Sequence, residues 1–281
     1  MTRPRKRHVQ EPLFDARGRA RVRNGKRIPK RRGKKPGRKP KGRRAGSPHT
    51  VRPELDGRAP IHIVLRVVDA VGSLRKFHMY PALREATIAV AKRELTYDKD
   101  GAFRIVHISI QRNHIHLLVE AQHKRALSRG MQSFQISAAK HLNRAVSVKS
   151  IARGTPAYRE AMTTRRRGTV FPDRYHQEII TSAKQARHTL AYVLNNWRKH
   201  REDGADFARK WNVDPYSTGA LFDGWKEREE AVTLWPLPET YLPLVVYLPK
   251  TWLLREGWRR HGLVKMREVP SAKKLAAAGA A

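Results

Sequence analysis

The chain has 281 residues and a formal net charge of +36, from 60 Lys/Arg against 24 Asp/Glu. It has no cysteine, which excludes disulfides and thiolate metal sites, and no apolar run reaches the ~18 residues of a membrane span. The excess of positive charge points to a polyanion as partner, with no membrane and no signal peptide core, so a cytoplasmic, nucleoid-associated protein is expected.

Residues 1–50 hold 20 Lys/Arg against Glu11 and Asp15. Runs such as Lys30-Arg31-Arg32-Gly33-Lys34-Lys35 have almost nothing apolar to bury, and cannot offset the entropy of ordering. Residues 1–58 therefore read as a disordered basic arm that gains affinity for phosphates by counterion release, without sequence specificity.

The folded part is expected from Ala59-Pro60 onward. Residues 61–67 are rich in β-branched side chains and read as a strand. Pro81 suits the first turn of a helix over 82–95. Phe103 to Ile110 reads as a second strand, with Val106, Ile108 and Ile110 alternating against His107, Ser109 and Gln111. His114 to Glu120 reads as a third, joined to it by a hairpin at Gln111-Arg112-Asn113. Leu127, Met131, Phe134, Ala138, Leu142 and Ala145 recur at helical spacing over 125–146. The basic stretch 147–168, with its Gly and Pro, reads as a loop. A fourth strand is expected between Val170 and Ile180, from Arg174 onward. Ser182 with Gln185 makes a capping box for a helix over 183–200.

The order β-α-β-β-α-β predicts an α+β, ferredoxin-like antiparallel sheet with two helices on one face and the other face open, followed by one more helix. Residues 59–201 form the expected catalytic domain and 202–281 an extension, with a turn at 214–219, a short helix within 248–261 and a frayed end from Ser271.

Residues two apart on a strand point the same way, so His114 and His116 share the face away from Ile115, Leu117 and Val119. Paired imidazoles are good ligands for a divalent ion, and they are equally what a solvated sheet face carries. On the helix that follows, Ala183, Ala186, Leu190, Val193, Leu194 and Trp197 form one apolar stripe. Tyr192 falls nearly opposite, with His188 and Asn196 one turn away on either side, and Gln185 and Lys199 on the same face. A phenolate there can attack phosphorus, or the ring can be an ordinary half-buried one. Two imidazoles are too few for a hard ion, and the amide oxygen of Asn196 is a third ligand in reach. Arg112, Arg129, Arg174 and Lys199 are candidates for DNA phosphates, or solvated charges. Tyr175 and Phe171 offer rings for base stacking or for packing.

Four pieces in order, Asn113-His114-Ile115-His116-Leu117-Leu118-Val119, Leu127-Ser128-Arg129-Gly130-Met131, Val170-Phe171-Pro172-Asp173-Arg174-Tyr175 and Ala191-Tyr192-Val193-Leu194-Asn195-Asn196, resemble the single-tyrosine HUH transposases, in their REP-associated tyrosine transposase branch. The resemblance spans about Ile61 to Lys199 and departs from the family at Gln111-Arg112, where a Met-Pro pair is usual. It implies a transposase that cuts and rejoins single-stranded or hairpin DNA without external energy. Tyr192 would be the catalytic nucleophile, linked covalently to a 5′ phosphate. His114, His116 and Asn196 would hold Mg²⁺ or Mn²⁺, and many members are homodimers. The alternative is a non-catalytic nucleic-acid binder, either a domesticated transposase or an RNA-recognition-like sheet with stacking aromatics.

Overall fold

The computed structural model describes residues 22–23, 26–27, 51–97, 101–148, 151, 154–164, 166–204, 208, 210–230, 237–239 and 241–269. It divides into two units, Met1–Ala45 and Gly46–Ala281. In the first unit Val22–Arg23 pairs antiparallel with Lys26–Arg27. The rest of the stretch 1–50, where a disordered arm is expected, and the end from Ser271 lie outside the described residues.

The second unit is built on four antiparallel strands. They are β1 (Ile61–Arg66), β2 (Phe103–Ile110), β3 (His114–Ala121) and β4 (His176–Ile179), in the order β2-β3-β1-β4. This is the ferredoxin-like order the sequence predicts. Helices α1 (Tyr80–Tyr97) and α2 (Lys124–Ser147) cover one face. There Ile61, Ile63 and Leu65 of β1 meet Ile115, Leu117 and Val119 of β3 and Leu127, Met131, Phe134 and Leu142 of α2 in the main core. The approach is close: a Cβ on Gly130 would lie 2.1 Å from the Phe103 ring, so only glycine lets α2 sit on β2 at this distance.

Three details depart from the sequence reading. The register skips between Ile105 and His107, so Val106 is the extra residue of a β-bulge. It leaves the face of Ile108 and Ile110, which line the main core, and packs with Leu118 on the other face. The stretch 147–168 is not all loop, because α3 (Pro156–Thr163) forms with Thr155 as N-cap and Pro156 in its first turn. The last helix is two pieces, α4 (Ala183–Leu194) and α5 (Asn196–Lys199), separated at Asn195. The expected cap holds: Ser182 Oγ accepts from Gln185 N, and Gln185 Oε1 accepts from Thr181 N at 2.9 Å.

The second face is not open. Helix α4 lies on it, and the C-terminal extension closes over α4. Val106 and Leu118 of the sheet, Ala186, Leu190, Val193 and Leu194 of α4, and Phe222, Trp225, Leu254, Trp258, Val264 and Met266 of the extension form one core. The expected helix within 248–261 is α7 (Trp252–Arg255), after α6 (Glu227–Glu230). Residues 214–218 cover the free edge of β2, through Ile110 N donating to Tyr216 O at 2.9 Å and a bridge between Ser109 and Ser217.

Candidate active site

Three strand positions supply the imidazoles. His116 of β3 lies opposite Val64 of β1, and His62 of β1 lies opposite Leu118, so the two side chains are diagonal neighbours on the α4 face. His62 Nε2 and His116 Nδ1 are 3.0 Å apart and buried, with the rings stacked at 5.2 Å. His114 sets its ring edge-on to His116 at 4.8 Å and to His200 at 5.3 Å. His114 Nδ1 donates to Asn113 Oδ1 at 2.8 Å. An amide oxygen only accepts, so the His114 lone pair is on Nε2.

Burial holds all of these rings neutral. It pushes His62 down to about 4, helped by His176, and His114 down to about 4, helped by His200, Arg66 and Lys199. His116 is pushed well below its ordinary range by burial and then by His62 and His114. Neutral imidazole is the form that coordinates a metal.

Helix α4 brings Tyr192 onto this cluster within the same chain. Its ring meets His116 at 5.4 Å and His62 at 5.9 Å, both edge-on. Lys199 Nζ lies 3.4 Å from the phenol oxygen and 4.7 Å from the ring centre. At the break the Asn195 side chain donates to Lys265 O at 2.9 Å. Asn196 is fully buried. Both amide atoms of Asn196, and Nε2 of His116, are buried without a hydrogen-bond partner in the protein. Buried polar atoms are rarely left unpaired, so His116 Nε2 and the Asn196 oxygen keep an acceptor free for a further group.

Among the described residues no group of three or more His, Cys, Asp or Glu is arranged to hold a metal. The candidate donors the sequence names are His114 Nε2, His116 Nε2 and the Asn196 amide oxygen, of which the last two are buried without a protein partner. Such a set suits a divalent cation that keeps waters and takes phosphate oxygens as its remaining ligands. Glu120, the acid nearest in sequence, is occupied elsewhere. It is buried, pairs with Arg104 at 2.9 Å, and accepts from Lys250 N, Thr251 N and Thr251 Oγ1.

The candidate phosphate contacts separate. Lys199 is at the phenol, and Arg112 lines a cleft of about 560 Å³ with His114, His200 and Glu202. Arg129 is not brought to this site: it lines a groove between α1 and α2 with Arg93 and His141, on the helical side of the sheet. Arg174 rims another cavity, with Arg52, Lys124 and Ser128. Tyr175 is buried beneath the Arg52 guanidinium, 3.5 Å from its ring centre, and Phe171 packs on the main core, so neither offers an open ring. His107 turns to the extension, 3.1 Å from Thr218 Oγ1.

Sequence reasoning missed His62 and His200. His62 is the one polar residue in Ile61-His62-Ile63-Val64-Leu65, a signal for a role on the less apolar face, but its partner is 54 residues away and only the strand register identifies it.

Residues 62–196 match the family model described as Transposase IS200-like. No curated protein matches the chain. Among solved structures, a REP-associated tyrosine transposase bound to a REP hairpin is similar at 15% identity, over 72% of this chain and 100% of that one, with a TM-score of 0.40.

Proposed function

We propose, from the match of residues 62–196 to the IS200-like transposase model, that the protein cuts and rejoins single-stranded DNA through a covalent 5′-phosphotyrosine at Tyr192. The observation that carries the reading is the approach of the Tyr192 ring to His116, at 5.4 Å within one chain. Nucleophile and imidazoles then need no second subunit to meet.

In the reaction, the Tyr192 oxygen attacks the scissile phosphorus and gives its proton to water. The bond from phosphorus to the 3′ oxygen breaks, and that oxygen takes up a proton to become a free 3′-OH. The phosphotyrosine keeps the energy of the broken bond, so attack by a 3′-OH reverses the step and rejoins the strand. The Lys199 ammonium stands beside the oxygen that attacks and leaves, and steadies negative charge there. Arg112 holds the strand at the mouth of the cleft. His114, His116 and Asn196 would hold Mg²⁺ or Mn²⁺, which supplies charge neutralisation at the non-bridging phosphate oxygens. His62 keeps His116 in the orientation that presents Nε2.

Of the two non-catalytic readings, the RNA-recognition-like sheet loses support from the same geometry, while a domesticated transposase would share it. A stacking sheet needs an open face with aromatic side chains, and here α4 and the extension cover that face. Incubation with labelled hairpin-bearing single-stranded DNA and Mn²⁺ tests the proposal. Wild type is expected to give a denaturant-resistant protein–DNA adduct, and Tyr192→Phe none. His114→Ala is expected to abolish cutting and retain most of the salt-sensitive binding. An adduct from Tyr192→Phe, or equal loss of cutting and binding in His114→Ala, contradicts it.

A further inference from the structure

We propose that the cavity between Tyr80, Trp211, Tyr216 and Tyr241 seats one unpaired base of the DNA strand, at a subsite apart from the imidazole cleft. The inference rests on the DNA-cutting function argued above and adds how that strand is gripped.

The cavity encloses about 520 Å³, within the roughly 300–1,000 Å³ of small-ligand sites. Its walls are rings. Tyr80 meets Tyr216 edge-on at 5.7 Å and Tyr241 at 6.2 Å, and Phe77 stands at the mouth, 61% exposed. The walls are fixed in advance. Tyr80 Oη donates to Leu242 O at 2.8 Å, and Arg75 lies 4.6 Å from the Tyr216 ring centre while donating twice to Asp214 at 2.9 Å. Burial raises the phenols of Tyr80, Tyr216 and Tyr241, so the rings stay neutral beside an anionic strand.

The same mouth carries Arg84, whose Nε donates to Pro243 O at 3.0 Å, and its guanidinium can meet the phosphate of the seated nucleotide. Glu85 also lines it and offers an acceptor to an exocyclic amine of the base. Base stacking on aromatic rings with a neighbouring cation is how proteins hold single strands. A proline-rich peptide also suits an aromatic groove, but the second unit's own +18, from 40 Lys/Arg against 22 Asp/Glu, favours a polyanion. Behind the rings Arg75 is held between Asp214, at 2.9 Å, and Glu202, at 4.0 Å, and Glu202 also lines the cleft beside His114. Trp211, Tyr216 and Tyr241 lie beyond residue 196, outside the matched family region.

The test uses the full chain and a hairpin with a single-stranded flank, carrying 2-aminopurine at successive flank positions, with Tyr192→Phe protein so that no cutting intervenes. One flank position is expected to show fluorescence quenching on binding. Phe77→Ala and Tyr241→Ala should remove the quenching and weaken binding of the flanked hairpin about ten-fold, leaving binding of a flankless hairpin unchanged. Quenching at no position, quenching unchanged in both variants, or a proline-rich peptide filling the cavity where DNA does not would overturn the inference. If quenching is seen but wild type forms no adduct, the cutting reaction fails and the subsite stands. If the adduct forms without quenching, the subsite fails alone.

Discussion

One hydrogen between His62 and His116 decides what His116 can bind. For His116 Nε2 to offer a lone pair, Nδ1 must carry the hydrogen and donate it to His62 Nε2, 3.0 Å away. In the proposed site His62 would then be an outer-shell partner of the kind that orients metal-binding histidines, and losing such a partner costs about 10–100-fold in metal affinity. His62→Phe is therefore expected to weaken Mn²⁺ binding to the DNA-free protein by about that factor, measured by titration calorimetry; unchanged affinity would remove His62 from the site. Strand and helix periods put Tyr192, His114 and His116 off the main apolar stripes, and the structure brings their rings together; the roles proposed for them come from the resemblance. His62 was not legible, because a diagonal neighbour on another strand is fixed by register and not by spacing. A second residue-scale expectation concerns His107, which burial pushes down to about 4. Between that value and 6.5 the unfolded chain binds a proton that the folded chain refuses. Stability should thus fall as pH drops through that window, by about 3 kcal/mol from this group. Urea denaturation of wild type and His107→Gln checks it: the variant should lose less stability between pH 7 and pH 4.5, and parallel losses would contradict the assignment.

At the scale of elements, two glycine- and bulge-dependent contacts set the two faces of the sheet. Gly130 admits α2 onto Phe103, and alanine there brings a Cβ to 2.1 Å from the ring. Overpacking of this kind costs about 1–3 kcal/mol, more than the ~1 kcal/mol that alanine gains in a helix. Gly130→Ala should therefore lower stability in chemical denaturation, and a neutral or stabilising effect would show that α2 is free to shift. The β-bulge at Val106 was invisible in the alternating pattern, because an extra residue flips the faces without changing composition. The helix break at Asn195 was equally hidden, and the partner of its side chain there, Lys265 O, belongs to the extension. There the chain clasps the tyrosine helix: Arg187 pairs with Glu268 and donates to Leu263 O at 2.8 Å, while Arg198 Nε donates to Met266 O at 2.8 Å. The extension thus helps fix where α4 presents Tyr192.

Over the whole molecule, charge and site are divided between parts. Residues 1–45 carry all 20 of the Lys/Arg found in the first 50 positions, and the candidate site lies in the second unit. Each phosphate contact by a cation steepens the dependence of binding on salt, by roughly 0.7 per contact on a single strand. Removing residues 1–45 should flatten the slope of log affinity against log salt and leave Tyr192-dependent adduct formation intact; an unchanged slope would deny the arm a role in binding. No helix among the described residues is long and apolar enough to cross a membrane. The central claim is that a phenol on α4 attacks DNA beside imidazoles of its own chain. Mass spectrometry of the digested adduct tests it most directly: the account places the nucleotide on the peptide containing Tyr192, and a nucleotide on any other residue, Tyr175 included, contradicts it.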